Sequence, residues 1–283
     1  MVNLKKQFEE ISDRQKSIII LGLDPKTVNE RKICLELSRL KQGLVGVKPN
    51  LAFYQTHDGR INLLKISKNV GPNLIRLLDL KSPDGAATNN AAFKSYAKHY
   101  EHVTVAPAAG CTADTIYKAN ALGLTTTSMG AMSFPGVLRE IDLGLPLFKQ
   151  RVDIAIKHGT SAFVMGATSF VPEADIENTM LKYRNLKNDM PITIEDMSDG
   201  ELYSALQGRN ELFKYILEKT EGTEILFLVP GFGRQGGKLE NFLASGIELN
   251  RCLINAGSDI LKSDDPQKAL LEMSARFNTS RYL

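Results

Sequence analysis

Short apolar runs alternate along this chain with segments whose apolar residues recur at helical spacing. The runs cover residues 17–23, 44–48, 74–81, 102–106, 124–129, 161–166, 224–229 and 251–255. The helix-period segments cover residues 30–41, 60–70, 89–99, 112–121, 147–158, 173–185, 239–245 and 266–276. Runs of this length read as strands and the longer periodic segments as helices. Eight strands, each followed by a helix, argue for a parallel sheet closed on itself: an α/β fold, a single (β/α)8 TIM barrel spanning residues 1–283. An open doubly wound sheet is the alternative topology, but no G-x-G-x-x-G follows the first run to support a dinucleotide site. Residues 1–17, charged and amphipathic, predict a short N-terminal helix packed on the barrel. Between strands 6 and 7 the chain is longer than the rhythm requires. Residues 186–209, mixed acidic and amide in composition, read as a surface insertion on the rim with no catalytic role.

Composition narrows the class. The chain has 283 residues, 43% hydrophobic and 24% charged, with a net charge of +3. This is a globular balance, too mildly basic to argue for nucleic acid. No apolar run approaches the ~20 residues of a membrane span, so neither nucleic acid nor membrane is an expected partner. Three scattered cysteines (Cys34, Cys111, Cys252) suit a reducing, cytoplasmic setting. Neither they nor the four histidines stand at metal-ligand spacing, so no metal site is expected. His57, His99, His102 and His158 have no paired acid at a meaningful spacing and read as surface or structural residues.

Candidate chemistry collects at the C-terminal ends of the predicted strands, where a barrel of this kind carries its active site. Asp24 ends the first, Lys48 the second, and Asp79 and Lys81 the third, two residues apart and so on one face of a strand. Asp84 follows beside Gly85, and Ser133 follows the fifth strand. Charges at the end of a buried run are costly unless they pair or do chemistry. An isolated Asp-x-Lys is equally well a solvated strand end with a local ion pair; two lysines and two carboxylates at adjacent strand mouths favour function. After the seventh strand, residues 230–237 (PGFGRQGG) combine close backbone approach with outward N–H groups, as a phosphate loop does. Arg234 adds charge there and Gln235 an amide donor. A flexible rim loop would show the same glycines.

Taken together, LGLDP (21–25), VKPNLAF (47–53), LDLKSPDGAAT (78–88), AMSFPG (131–136) and PGFGRQGG (230–237) resemble the orotidine 5′-phosphate decarboxylase family, in the expected order along most of the barrel. The resemblance implies decarboxylation of orotidine 5′-phosphate to uridine 5′-phosphate (UMP) in pyrimidine biosynthesis, with no cofactor and no metal. It implies an array of Lys48, Asp79, Lys81 and Asp84, with Lys81 protonating C6 of the pyrimidine. Asp24, Asn50 and Thr88 would hold the ribose and the adjoining phosphate, and Ser133 would touch the ring. It further implies a homodimer in which Asp84 and Thr88 reach the partner's site. In the family a Gly-Arg pair after the eighth strand holds the phosphate. Here Gly257 is followed by Ser258, which can donate a hydrogen bond but no charge, and Arg234 is the expected substitute. Two other readings follow from this departure. One is a magnesium-dependent sugar-phosphate decarboxylase or synthase of the same superfamily, although Lys48 stands where an added cation would be repelled. The other is a catalytically lapsed barrel acting as a binding protein.

Overall fold

The computed structural model describes residues 3–40, 42–82, 84, 86–106, 111–132, 136–185, 196–232 and 236–281. Eight strands, β1 (Ile19–Leu23), β2 (Gly46–Pro49), β3 (Ile75–Ser82), β4 (His102–Val105), β5 (Thr125–Met129), β6 (Ala162–Val164), β7 (Leu226–Pro230) and β8 (Cys252–Ala256), form a closed barrel in chain order. Every neighbouring pair is parallel, and β1 closes on β8 with Ile20 opposite Asn255. Strands enclosed on both faces lose the polar–apolar alternation of a half-exposed sheet. That is why β1 reads as IILGL with all five residues buried. β5 is the polar exception, TTTSM, with Thr125 to Ser128 all buried. β-branched threonine fits a strand, and three of the four hydroxyls find partners: Ser128 and Thr126 both reach Thr160, while Thr125 meets the His102 ring. Thr127 Oγ1 is buried without a partner among the described residues.

The helices are α1 (Leu4–Gln15), α2 (Val28–Leu37), α3 (His57–Val70), α4 (Ala86–Tyr96), α5 (Thr112–Ala121), α6 (Val137–Lys157), α7 (Ile176–Arg184), α8 (Asp199–Lys219), α9 (Leu239–Leu243), α10 (Ser258–Leu261) and α11 (Pro266–Arg281). α1 is the expected N-terminal helix, capped by Asn3, whose side chain accepts from the Lys6 N–H. It lies against the N-terminal ends of the strands. Gln7 reaches His102 at the start of β4, Arg14 the Asn73 carbonyl before β3, and Asn3 reaches Glu224 before β7. Among the described residues no helix is long and apolar enough to cross a membrane.

Two expectations need correction. The helix placed over 147–158 begins ten residues earlier, at Val137, and bends where Gly144 leaves helical geometry (φ −147°, ψ 26°). Pro146, two residues on, lacks an N–H and crowds the preceding turn, so the helix continues past it only by bending at Gly144. The surface insertion is the larger correction. Within 186–209, residues 186–195 lie outside the described residues, but Asp199 begins α8, a 21-residue helix capped by a Ser198–Glu201 capping box. Leu202, Ala205, Leu206, Arg209, Leu212, Phe213 and Ile216 are buried along it at helical spacing. Arg209 is fully buried, its guanidinium donating to the Thr168 carbonyl after β6. α8 is therefore the wall helix between β6 and β7. Its polar face, rich in Asp, Glu and amides, disguised the apolar stripe.

Candidate active site

β2 and β3 end side by side, and their polar residues meet there. Lys48, buried in β2, places its Nζ 2.6 Å from Oδ2 of Asp79 in β3. The other oxygen of that carboxylate, Oδ1, lies 2.7 Å from Nζ of Lys81 and accepts from Thr104 Oγ1 at 2.8 Å. Thr104, buried in β4, also accepts the Lys81 N–H at 2.9 Å. One carboxylate is thus held between two ammonium groups and a hydroxyl. Asn50 forms an isolated bridge with Asp79, closing the mouth of the β2–β3 pair.

The geometry departs from a regular strand at Lys81. Its φ of 46° is in the left-handed region, and the β3–β4 register shifts between Leu78 and Ser82. A non-glycine residue there carries conformational strain, of order 1 kcal/mol or more, that its surroundings must hold in place. Here the Thr104 hydroxyl and the Asp79 carboxylate do so. The ion pair expected from strand alternation forms, but across a bulge. The Lys81 side chain is 45% exposed, whereas those of Lys48 and Asp79 are 5% and 8% exposed. Two groups of the triad are therefore fixed inside the barrel and one ammonium faces outward.

Electrostatics keep the buried pair ionised. Burial works against the Asp79 carboxylate, but the ammonium groups of Lys48 and Lys81 outweigh it and hold its pKa well below the carboxylate range. Burial likewise opposes charge on Lys48, and the carboxylates of Asp24 and Asp79 reverse the balance, raising its pKa.

A second region lies at the mouths of β1, β7 and β8. There a cavity of about 320 Å³ is lined by Gly22, Asp24, Lys26, Asn255, Gly257, Ser258 and Lys262, among others. Gly257 is packed too closely to carry a side chain: its Cβ would stand 2.9 Å from the Gly22 carbonyl oxygen. Asp24 is half-buried, with Oδ1 enclosed and without a hydrogen-bond partner among the described residues. Ser258 is exposed, its hydroxyl 3.4 Å from Asp259 Oδ1. In the glycine-rich turn Gly231 takes a φ of 109°, open to glycine without strain. The Gly237 N–H does not face outward as expected; it donates to the Gly231 carbonyl, so this donor is already satisfied within the segment.

The structure thus joins Lys48, Asp79, Lys81 and Asn50, and gathers Asp24, Gly257 and Ser258 around the cavity. Asp84 lies exposed just before α4, its carbonyl accepting from Asn89, and Thr88 is exposed on α4. Ser133, Arg234 and Gln235 lie outside the described residues. Sequence reasoning missed Thr104, Asn255, Lys26 and Lys262. A threonine in a buried strand carries no signal of its own. The asparagine in the otherwise apolar run LINA was a visible anomaly. Among the described residues no three His, Cys, Asp or Glu side chains converge as metal ligands would.

A closed parallel (β/α)8 barrel, with a partly buried ionic triad at its C-terminal mouth, is the fold class of this molecule. No family model and no curated protein matches its sequence. Among solved structures, it is similar to the orotidine monophosphate (OMP) decarboxylase of Leishmania donovani, with 18% identity, a TM-score of 0.71 and full coverage of both chains. The OMP decarboxylase of Methanocaldococcus jannaschii in complex with the inhibitor BMP is 20% identical, with a TM-score of 0.63, covering 92% of this chain and 98% of that one. All of this chain matches 57% of Leishmania donovani UMP synthase, at 18% identity and a TM-score of 0.68. At these identities what is shared is the fold.

Proposed function

We propose that this chain converts orotidine 5′-phosphate to uridine 5′-phosphate by decarboxylation without a cofactor. The observation that carries the reading is the Lys48–Asp79–Lys81 triad at the mouth of β2 and β3. When the C6–carboxylate bond breaks, its electron pair stays on C6 and carbon dioxide leaves. An ammonium fixed beside C6 stabilises that developing charge and then neutralises it by giving up a proton. Lys81 is the outward-facing ammonium and fills this role, recovering its proton from solvent. Asp79 lies where the substrate carboxylate would be repelled, and Lys48 keeps Asp79 ionised throughout. Asp24 and Asn50 take the ribose hydroxyls and Ser133 the ring. Binding energy from the distant phosphate is used at the reacting carbon. Asp84 and Thr88 complete the site of a second copy, making the working form a homodimer.

The test is the loss of orotidine 5′-phosphate absorbance in the presence and absence of EDTA. EDTA-resistant turnover is expected, and Lys81→Ala should lower kcat/KM by about 100- to 10,000-fold, the range for a general acid. Turnover of a sugar phosphate that EDTA abolishes would identify instead a magnesium-dependent enzyme. Binding of UMP with no turnover would identify a lapsed barrel.

A further inference from the structure

The cavity at β1, β7 and β8 has an internal polarity. On its floor is Asn255, one residue before Ala256 at the end of β8. In-register strand partners point the same way, so Asn255 shares the face of Ile20 and Gly22 on β1, and Gly22 in turn shares that of Lys48 on β2. The Asn255 amide leans over Gly22, where an added Cβ would stand 3.0 Å from its Oδ1. That oxygen is buried and has no partner among the described residues, as is true of Asp24 Oδ1. Buried polar atoms are nearly always satisfied, and two unmatched acceptors enclosed beside one cavity make its floor acceptor-rich, suited to the hydroxyls of a ligand.

The rim has the opposite character. Lys26 and Lys262 are exposed lining residues, and among the described residues neither has a carboxylate within ion-pair distance. Of the acids on the rim, Glu30 accepts the Lys26 N–H and Asp259 faces the Ser258 hydroxyl. The Lys262 N–H donates to the Ser258 carbonyl, so Lys262 stands one helical turn beyond Ser258, on the same side of α10. Its flexible four-carbon stem lets a charge rooted at 262 serve the space beside residue 258.

We propose that Lys262 is the cation that binds the phosphate of the ligand in this cavity, with Asn255 and Asp24 accepting its hydroxyls at the floor. The acceptor floor repels an anion and the Lys262 rim attracts one, so the two ends orient a phosphorylated nucleoside. This assignment rests on reading the site as one for a nucleoside 5′-phosphate, and it replaces Arg234 as the source of the missing charge.

Calorimetric titration of the full chain with UMP and with uridine tests it. Lys262→Ala should weaken UMP binding by about 10- to 100-fold, the worth of one charge-assisted hydrogen bond, leave uridine binding as it was, and recover in Lys262→Arg. Asn255→Ala should weaken both ligands alike. Lys262→Ala with the wild-type preference for UMP intact, particularly if Arg234→Ala loses it, overturns the assignment while leaving the nucleotide reading in place. A wild-type chain that does not distinguish UMP from uridine overturns the nucleotide reading itself. Because Lys262 is exposed, an unchanged unfolding midpoint in the variants ties any loss to binding.

Discussion

His102 shows how much a single side chain can be altered by where the fold puts it. It is fully buried at the start of β4, between Thr125 and Gln7 Oε1. Burial, and then the nearby Arg76 guanidinium, push its pKa down to about 3. Below its ordinary value of 6.5, the unfolded chain takes up a proton that the folded chain refuses. Stability from this group is therefore complete above pH 6.5 and is lost as pH falls toward 3, by about 1.4 kcal/mol per pH unit. Asp79, whose pKa is also lowered, contributes in the same direction but only below the carboxylate range. Urea unfolding between pH 7 and pH 4.5 should show the His102 slope, and His102→Asn should flatten it. The sequence leaves the residue as surface or structural, because its burial depends on α1 packing beneath β4, which no local pattern encodes. The same holds for Thr104: its neighbours in sequence are ordinary strand residues, and it acquires a role only because β4 lies beside β3.

At the scale of elements, the apolar runs located all eight strands to within two residues at most of their ends. Most of these runs are legible because a strand covered on both faces has few polar positions to interrupt it; β5, TTTSM, and the charged ends of β2 and β3 are the exceptions. Helices with a strong polar face were harder. The first half of α8, residues 199–209, reads as surface in sequence, although Leu202, Ala205 and Leu206 form with Leu138, Val171, Ile176, Tyr183 and Met197 a separate small core. Leu206→Ala should therefore lower stability by about 2–5 kcal/mol, the cost of a buried cavity, measured by denaturant unfolding; a surface position would lose a few tenths. α6 was read short because Gly144 and Pro146 are breakers in any local scheme. Its packing against α8 keeps it together across the bend.

For the whole molecule, closure of the barrel is what turns dispersed residues into a site. Lys48 and Asp79 are 31 residues apart and meet because β2 and β3 pair in parallel. Gly22 and Gly257 meet because β1 closes on β8. If the site is also shared between two copies, neither the Lys81→Ala chain nor the Asp84→Asn chain is active alone. Mixed in equal amounts after dissociation, they should regain about one quarter of wild-type activity, since half the dimers are mixed and each rebuilds one intact site. Activity that stays at the level of the separate variants would mean that each barrel works by itself.

What the sequence by itself determined is the set of chemical groups and their order: eight buried strands, a lysine on the second, an Asp-x-Lys on the third, a glycine-rich turn after the seventh and a serine at 258. These are local signals, because strand burial, turn chemistry and charge placement are written in neighbouring residues. Only the tertiary structure decided that Asp79 is clasped between two ammonium groups and that Lys81 reaches it from a strained, left-handed backbone. Only it placed Asn255 and Lys262 around the same cavity as Asp24. Those relations join residues from different strands, and their energies depend on distance and burial, which exist only once the barrel has closed.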